Sequence, residues 1–176
     1  EIEEKLMLAV QLGDINKAKS VLSDMATNSS YELIFKRFAD PLRSYKNGMI
    51  ILNTLLRTAA KRGGLPLIYL HAISEKYALI IENTNNIEYL SSMLSQEMVL
   101  DYTNAVAMFS TSQYSEIIKK VIEYISFHIT TDISLKNIAK HFNINASYLS
   151  RKFKNETKMT INRYINYQRV ELSKIY

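Results

Sequence analysis

The chain has 176 residues, of which 47% are hydrophobic and 22% charged, and it contains four glycines, two prolines and no cysteine. This length is enough for one helical domain of ordinary size or for two small ones. The scarcity of glycine and proline favours long helices with few sharp turns. Because cysteine is absent, a disulfide framework, a thiolate metal site and a thiol catalyst are excluded, and the cytoplasm is the expected location.

The net charge of +5 is unevenly distributed along the chain. Residues 111–176 carry 11 Lys and Arg against 5 Asp and Glu, a net charge of +6, whereas residues 1–110 carry 11 against 12 and are nearly neutral. An excess of positive charge confined to one part of a chain is typical of contact with nucleic acid. The alternative is a basic helix lying on a membrane, but these cations are split between helices and loops and do not line one amphipathic face.

No apolar run approaches the ~20 residues of a membrane-spanning helix, and Glu1 opens the chain without an initiator methionine or a signal-peptide pattern. We therefore expect no membrane contact. We also expect the chain to be an internal part of a longer protein.

Residues 1–110 are predicted to form a helical bundle. In chain order, the predicted helices are 3–12, one running through 18–25, 31–39, 42–62, one that Leu65-Pro66 opens and that carries apolar positions to Ile81, and 87–109. Breaks and capping residues separate them: Gly13-Asp14, the polar stretch 27–30, Asp40-Pro41, Gly63-Gly64 and the asparagine-rich stretch 83–86. The expected fold class is all-α, with a bundle over 1–110 followed by a smaller unit over 111–176.

The predicted helix 42–62 is apolar on more than one face. Its apolar residues include Met49, Ile50, Ile51, Leu52, Leu55 and Leu56. Such a helix is either central to its own bundle or covered by a partner, because each apolar side must be buried. We expect the bundle to self-associate and make the protein a homodimer.

Two other patterns in the bundle leave alternatives open. Polar residues along the same helix form a solvated face, an anion or effector site, or contacts across a helix interface: Arg43, Lys46, Asn47, Asn53 and Arg57. Tyrosines at helical spacing are expected in the core or at its rim, with a tyrosine-lined pocket as the alternative: Tyr69, Tyr77, Tyr89 and Tyr102.

Residues 132–176 contain the pattern of a helix-turn-helix. Ala139 is the small residue that two crossing helices require, and Asn143 suits the left-handed conformation of the turn. Asn145 is the expected N-cap of a second helix that starts near Ala146. Inward apolar positions come from both helices and the turn: Leu135, Ile138, Phe142, Ile144, Leu149 and Phe153.

The second helix, about 146–156, is predicted to insert into the major groove of double-stranded DNA. The candidate DNA-binding residues are Asn145, Ser147, Tyr148, Ser150, Arg151, Lys152 and Lys154. These donors can reach base edges and phosphates from one helix. The alternatives are a solvated basic face on an ordinary helix, and a helical interaction or dimerisation module whose helix-turn-helix contacts protein and not DNA.

Enzymatic activity is not expected. His71, His128 and His141 are far apart in sequence, without a two-histidine metal spacing, and no carboxylate pair or glycine-rich phosphate loop accompanies them. Nothing places a base beside a Ser or Thr nucleophile. No cofactor and no metal are expected for this chain.

The helix-turn-helix resembles the first of the two found in AraC/XylS-type transcription regulators. The matching residues are Asn145, Ser147, Tyr148, Leu149, Ser150, Phe153 and Lys154, followed by Tyr164, Ile165 and Arg169. The resemblance implies base contacts from Ser147, Ser150 and Arg151, and a following linker helix that Thr160 caps. It also implies that Tyr164, Ile165 and Leu172 of the linker helix face the first helix-turn-helix subdomain.

The resemblance has two departures. The family usually has glycine where this chain has Lys158, and a lysine at positive φ costs on the order of 1 kcal/mol, so the turn is open to a different geometry. The chain also ends at Tyr176, inside the expected linker helix, so we expect only one of the two helix-turn-helix units here.

Residues 1–110 are similar to the helical segment that precedes the DNA-binding domain in a subset of AraC-type regulators from Gram-positive bacteria. The segments that carry this likeness are GDINKAKSVL and DPLRSYKNGMIILNTLLRTAAKRGGLPLIYLHAISEKYALIIE. The resemblance implies that any effector is bound by a region that is not in this chain.

Overall fold

The computed structural model describes residues 2–27 and 40–175. In this part of the chain the fold is all-α, as expected. The helices are α1 Ile2–Leu12, α2 Ile15–Thr27, α3 Pro41–Arg62, α4 Leu67–Asn83, α5 Leu94–Phe109, α6 Glu116–Phe127, α7 Leu135–His141, α8 Ala146–Thr157 and α9 Ile161–Ser173. We call α1–α5 the bundle and α6–α9 the helix-turn-helix unit. The predicted helix over 31–39 lies outside the described residues.

The bundle is built around α3 and α5. Helix α3 packs against α1, α4 and α5, and α1 and α2 complete the packing around α5. The predicted break after α1 is confirmed, because Gly13 has φ +64 and Asp14 Oδ1 accepts a hydrogen bond of 2.9 Å from the backbone N–H of Lys17. Helix α3 also begins as predicted, with Asp40 Oδ1 accepting from the backbone N–H of Arg43 and Pro41 in the first turn. Capping and proline therefore set these helix starts.

A π-helical turn, Tyr89–Met93, precedes α5 and was not predicted. It shifts the phase of the helix, which the sequence pattern leaves ambiguous at Met93 and Leu94. Leu94 is fully buried, together with Leu90 and Met98, whereas Met93 is 58% exposed. The π turn thus selects which of two adjacent apolar residues enters the core.

Buried tyrosines join the long helices of the bundle through hydrogen bonds. Tyr102 donates to Asn53 Oδ1 at 2.8 Å, and Asn53 Nδ2 donates to the carbonyl of Ser74 at 3.0 Å, which links α5, α3 and α4. Tyr77 donates to Asp101 Oδ2 at 2.7 Å. The core position predicted for the tyrosines is confirmed for Tyr69, Tyr77 and Tyr102, and Asn53 serves as the polar contact across a helix interface that was one of its interpretations.

Helix α3 has an exposed apolar side. Met49 and Leu56 are buried in the bundle, but Ile50, Ile51 and Leu55 are 48%, 61% and 41% exposed. The helix is therefore not surrounded by its own bundle on all apolar faces.

The helix-turn-helix unit rests on α6, which is missing from the predicted elements. Its buried residues Ile118, Val121, Ile122 and Ile125 recur at three- and four-residue steps and form one apolar stripe. That stripe belongs to the same core as Ile138 of α7 and Leu149 of α8, and α6 also packs against α4 of the bundle. Helix α6 thus connects the two parts of the fold.

The two parts also meet at α9. The hydroxyl of Tyr69 in α4 donates to Gln168 Oε1 in α9 at 2.6 Å, and the rings of Tyr69 and Phe109 stack at 4.2 Å. The ring of Tyr167 lies 6.3 Å from that of Phe109. These contacts hold the helix-turn-helix unit in one orientation relative to the bundle. None of the described helices is long and apolar enough to cross a membrane.

Candidate DNA-binding surface

The turn between α7 and α8 has the expected geometry. Asn143 has φ +53, and the backbone N–H of Ile144 donates to the carbonyl of Ala139 at 2.9 Å. Ala139 is only 4% exposed, as a residue at a helix crossing must be. Asn143 tolerates the left-handed conformation better than most other non-glycine residues, so this turn is closed without a glycine.

Asn145 is the N-cap of α8. Its Oδ1 accepts a hydrogen bond of 3.1 Å from the backbone N–H of Tyr148, and α8 begins at Ala146 as predicted. This bond satisfies one of the open amides of the first turn. The side-chain oxygen of Asn145 is thus already engaged, and its amide nitrogen remains as the donor that could meet DNA.

The outer face of α8 lies opposite its buried side. Leu149, Phe153 and Thr157 are buried, so the residues half a turn away point outward. Ser147, Tyr148, Arg151, Lys154 and Asn155 are exposed on that side, and Ser150 and Lys152 are half-buried at its two edges. The guanidinium of Arg151 reaches back to the carbonyl of Ser147 at 3.4 Å, a long contact that leaves its remaining donors available.

Asn155 was missed by the sequence analysis. It lies one turn after Arg151 and two turns after Ser147, and it lines an open concavity of about 400 Å³ together with Tyr148, Arg151, Lys152 and Glu156. The signal that could have found it is the four-residue step along the helix. An asparagine amide can pair with adenine through two hydrogen bonds, so Asn155 joins the candidate contacts on this face.

Lys152 is the one predicted DNA contact with a carboxylate partner. Its ammonium lies 3.0 Å from Glu156 Oε1, one turn later on the same helix. This hydrogen bond raises the pKa of Lys152 and keeps its charge. Lys154 and Arg151 have no ion-pair partner among the described residues and present their charges on the exposed face.

Glu156 also holds α8 against α6. Its two oxygens accept from the backbone N–H of Ser115 at 2.7 Å and from the hydroxyl of Ser115 at 2.8 Å, at the residue that caps α6. Partial burial raises the pKa of Glu156, but the hydrogen bonds from Ser115 and Lys152 outweigh burial and leave it below the ordinary value. The bonds span 41 residues and could not be read from local sequence.

The end of α8 has the geometry that a glycine would give. Lys158 has φ +61, and its backbone N–H donates to the carbonyl of Lys154 at 2.9 Å. The alternative geometry considered for this turn is therefore wrong, and the chain accepts a strained lysine at the C-cap. Thr160 then caps α9 by accepting from the backbone N–H of Arg163 at 3.3 Å, as the family resemblance implies.

Helix α9 closes the unit. Its residues Tyr164, Ile165 and Leu172 are buried, as expected. Arg169 donates from Nε to the carbonyl of Ile129 and from a terminal nitrogen to the carbonyl of Thr131, both at 2.9 Å, and so ties α9 to the segment that follows α6. Among the residues that the structure describes, no three His, Cys, Asp or Glu side chains are grouped to hold a metal ion.

Comparison with known proteins agrees with this geometry. Residues 125–166, which run from the end of α6 into α9, match the sequence model of the bacterial regulatory helix-turn-helix proteins of the AraC family. This segment is therefore similar to the helix-turn-helix of that family. The expected resemblance is thereby confirmed, and the match supports a DNA-binding transcription regulator.

The whole chain is also similar to a longer bacterial protein. It is 24% identical over 180 residues to the uncharacterized HTH-type transcriptional regulator YtdP of Bacillus subtilis strain 168. The alignment covers 99% of this chain but only 22% of that relative, so the chain spans about a fifth of its length. No solved structure matches the chain.

Proposed function

We propose that this chain is the DNA-reading part of a bacterial transcription regulator, with α8 inserted into the major groove. The observation that supports this most directly is the exposed face of Ser147, Arg151 and Asn155, whose nearest carboxylate, Glu156, is paired with Lys152, on a capped helix inside the segment that matches the AraC family. A regulator that reads DNA in bacteria acts in the cytoplasm. Enzymatic activity has no part in this proposal.

Arg151 is proposed to read a base edge. It lies near the centre of the exposed face, and arginine pairs with guanine through two hydrogen bonds in the major groove. Asn155 and Ser147 flank it, with Asn145, Tyr148 and Ser150 as further donors. Lys154 is proposed to bind phosphate from the edge of the face, and Lys152 contributes to the field while it stays paired with Glu156.

The test selects binding sites for the chain from randomised double-stranded DNA and then compares two variants. Arg151→Ala should lose about 1 to 3 kcal/mol on the selected site and relax the preference at one base pair. Lys154→Ala should weaken binding to all sequences alike and reduce the salt slope by up to ~1. A loss from Lys154→Ala that is confined to the selected site would show that the rotation of α8 in the groove is wrong.

The competing proposal is that the helix-turn-helix contacts protein. Neutralised phosphates release counterions, so log K for DNA should fall with log salt by about 0.9 per phosphate. A helix-packing interface should respond little to salt. A binding constant that does not change with salt concentration would favour the protein-contact alternative.

We further propose that a second helix-turn-helix follows in the longer protein, as the family resemblance implies, and that an effector is bound outside residues 1–176. A second reading head makes its contact effectively intramolecular, so extending the chain beyond residue 176 should tighten specific binding by orders of magnitude at matched salt. Equal affinity of the short and extended chains would rule out the bipartite arrangement.

The bundle, residues 1–110, is proposed as the dimerisation unit and residues 111–176 as the DNA-binding unit. The exposed side of α3, formed by Ile50, Ile51 and Leu55, supports dimerisation because a contiguous apolar surface is costly to leave in water. Sedimentation should find a dimer at tens of micromolar. Ile51→Glu should give a monomer, whereas Leu8→Glu, at an exposed leucine on α1, should leave the dimer intact.

A monomeric parent chain at that concentration would discard the dimer. Dissociation by Leu8→Glu but not by Ile51→Glu would instead place the interface on α1.

A further inference from the structure

A cavity lies at the junction between the bundle and the helix-turn-helix unit. One wall comes from the end of α5 and the segment after it, with Met108, Phe109 and Gln113. The other wall comes from the helix-turn-helix unit, with Met159, Tyr164 and Gln168. The cavity is distinct from the proposed DNA-binding face of α8, and neither the family match nor the exposed recognition residues account for it.

No Lys, Arg, His, Asp or Glu side chain lines the cavity. A charged ligand would therefore lose its hydration without gaining an ionic partner, which is costly. The polar groups that line it are amides and hydroxyls, and these can bond neutral ligands. The lining thus selects against carboxylates, phosphates and amines.

Two buried side chains present unused hydrogen-bond donors to the cavity. Gln168 is 5% exposed and its Oε1 accepts from Tyr69, but its amide nitrogen has no protein partner among the described residues. Tyr164 is 8% exposed, and its hydroxyl likewise has no partner in that part of the chain. Solvent reaches both atoms. Among the described residues, Arg57 Nε is the side-chain polar atom that is both sealed from solvent and unpaired. Both donors are therefore open to water, and an acceptor on a ligand in the cavity would take the place of that water.

The tyrosine hydroxyl remains a donor at physiological pH. Burial raises the pKa of Tyr164, and the neighbouring hydroxyls of Tyr114 and Tyr167 raise it further. The ring is held in place by Phe153, whose centroid is 5.3 Å away in an edge-on arrangement. The donor is therefore both protonated and fixed in position.

The size and walls of the cavity indicate the kind of molecule that fits. Its volume is about 220 Å³, which exceeds the ~150 Å³ cavity that can hold a benzene ring but is smaller than the ~300 Å³ of the smallest drug-sized sites. Tyrosine, phenylalanine and methionine side chains favour flat aromatic rings. A compound with a single aromatic ring fits this volume and these walls.

We propose that this cavity binds a small uncharged aromatic molecule that carries a carbonyl-type acceptor, which receives hydrogen bonds from Gln168 and Tyr164. Since the walls belong to both units, the molecule contacts both only while they are docked as in this structure. Binding therefore stabilises the docked arrangement and with it the orientation of α8 relative to the bundle.

The test titrates the whole chain with benzamide and follows the backbone amide signals by NMR, with benzoate as the charged analogue of the same shape. Benzamide should shift the signals of Met108 and Gln113 on one wall and Met159 on the other in a saturable way at millimolar concentrations. Benzoate should bind at least about tenfold more weakly, because its charge has no partner in the cavity.

Two matched variants test the proposed donor. Tyr164→Phe keeps the ring and removes one hydrogen bond, so it should weaken benzamide binding about threefold to tenfold. Tyr89→Phe removes a hydroxyl that bonds Glu97 in the bundle, away from the cavity, and should leave binding unchanged. The spectra of the free variants establish that both are folded.

The proposal is overturned if benzamide shifts no signals, or shifts only signals away from the two walls. It is also overturned if benzoate binds as well as benzamide, or if Tyr164→Phe binds benzamide as the parent does. None of these results bears on DNA binding, which the Arg151 and Lys154 variants test separately.

Discussion

The bundle and the helix-turn-helix unit are stabilised in different ways. The bundle has long helices, with 22 residues in α3, 17 in α4 and 16 in α5. Helix α4 has no side-chain N-cap, whereas Asp14 and Asp40 cap α2 and α3, and Asn86 Oδ1 accepts from the backbone N–H of Tyr89 at the start of the helical run into α5. Burial along several helical turns supplies their stability, and tyrosine hydroxyls join them across the core.

The helices of the helix-turn-helix unit are shorter, and three of the four have a side-chain N-cap, α6 being the exception. Helices α7, α8 and α9 have 7, 12 and 13 residues, and each has a side-chain cap, from Ser134, Asn145 and Thr160 in turn. A short helix has few internal hydrogen bonds relative to its open ends, so each cap carries a larger share of its stability. The comparison teaches that capping residues contribute a larger share of the stability of short helices, whereas packing against distant segments contributes more to the stability of long ones.

The largest expected effect comes from removing a core side chain from one part only. Phe153 is fully buried in α8, and Phe153→Ala should cost about 3 to 5 kcal/mol of stability. Hydrogen exchange should rise in α6–α9 while α1–α3 stay protected. Leu94→Ala, at an equally buried position in α5, is the matched variant and should open the bundle instead.

If Phe153→Ala caused equal loss of hydrogen-exchange protection in both parts, the view that they are stabilised in different ways would be wrong. That result would mean that the Tyr69 and Gln168 contact, together with α6, makes the chain unfold as one unit.

The next effect tests the close approach of helices in the bundle. A Cβ at Gly63 would overlap the backbone carbonyl oxygen of Gln11 at the end of α1 and would press against Val106. Gly63→Ala should therefore destabilise the bundle by about 1 to 3 kcal/mol, since backbone cannot move aside as a flexible side chain does. Chemical denaturation measures the loss, with the neighbouring exposed Arg62→Ala as control. Equal midpoints for both variants would show that α1 and α3 can separate without cost.

The same difference explains how far the sequence could predict the molecule. The turn at Asn143, the cap at Asn145 and the buried Leu149 and Phe153 follow from residues a few positions apart, and each was predicted correctly. The cap at Thr160 was implied by the family resemblance and is also present. Helix starts at Asp14 and Asp40 follow from the same kind of signal.

Contacts between distant segments could not be predicted. The bond between Tyr69 and Gln168 spans 99 residues, and that between Ser115 and Glu156 spans 41, with no local pattern that pairs them. Asn155 was missed for a different reason, because its exposure depends on the rotation of α8 against α6 and α9. The left-handed Lys158 shows that tertiary packing can impose a conformation that local preference disfavours.

A smaller effect compares caps in the two parts. Asn145→Ala should cost about 0.5 to 2 kcal/mol, because the open amide at Tyr148 loses its acceptor, and Asn145→Ser should restore most of the loss. Asp40→Ala removes the corresponding cap from α3, where 22 residues of helix and a proline in the first turn remain, and should cost less. Denaturation of the three variants gives the values. A greater loss at Asp40 than at Asn145 would contradict the view that caps matter more in the short helices.

The smallest effect at neutral pH distinguishes the tyrosine contacts of the bundle. Burial raises the pKa of Tyr102 from 10.0 to about 12, and burial also raises the pKa of Tyr77. The unfolded chain ionises these groups first, so the stability they contribute is present below pH 10 and is lost as the pH rises through that value towards the folded pKa. Tyr102→Phe should cost about 0.5 to 1.5 kcal/mol at pH 7 through the lost bond to Asn53, yet its stability should fall less steeply above pH ~10 than that of the parent. Met98→Leu, a change at a fully buried position without a titratable group, should lower stability by the same amount at every pH. Parallel stability curves for the parent and Tyr102→Phe at alkaline pH would mean that the hydroxyl ionises in the folded bundle as readily as in the unfolded chain, and the long helices would then not depend on it.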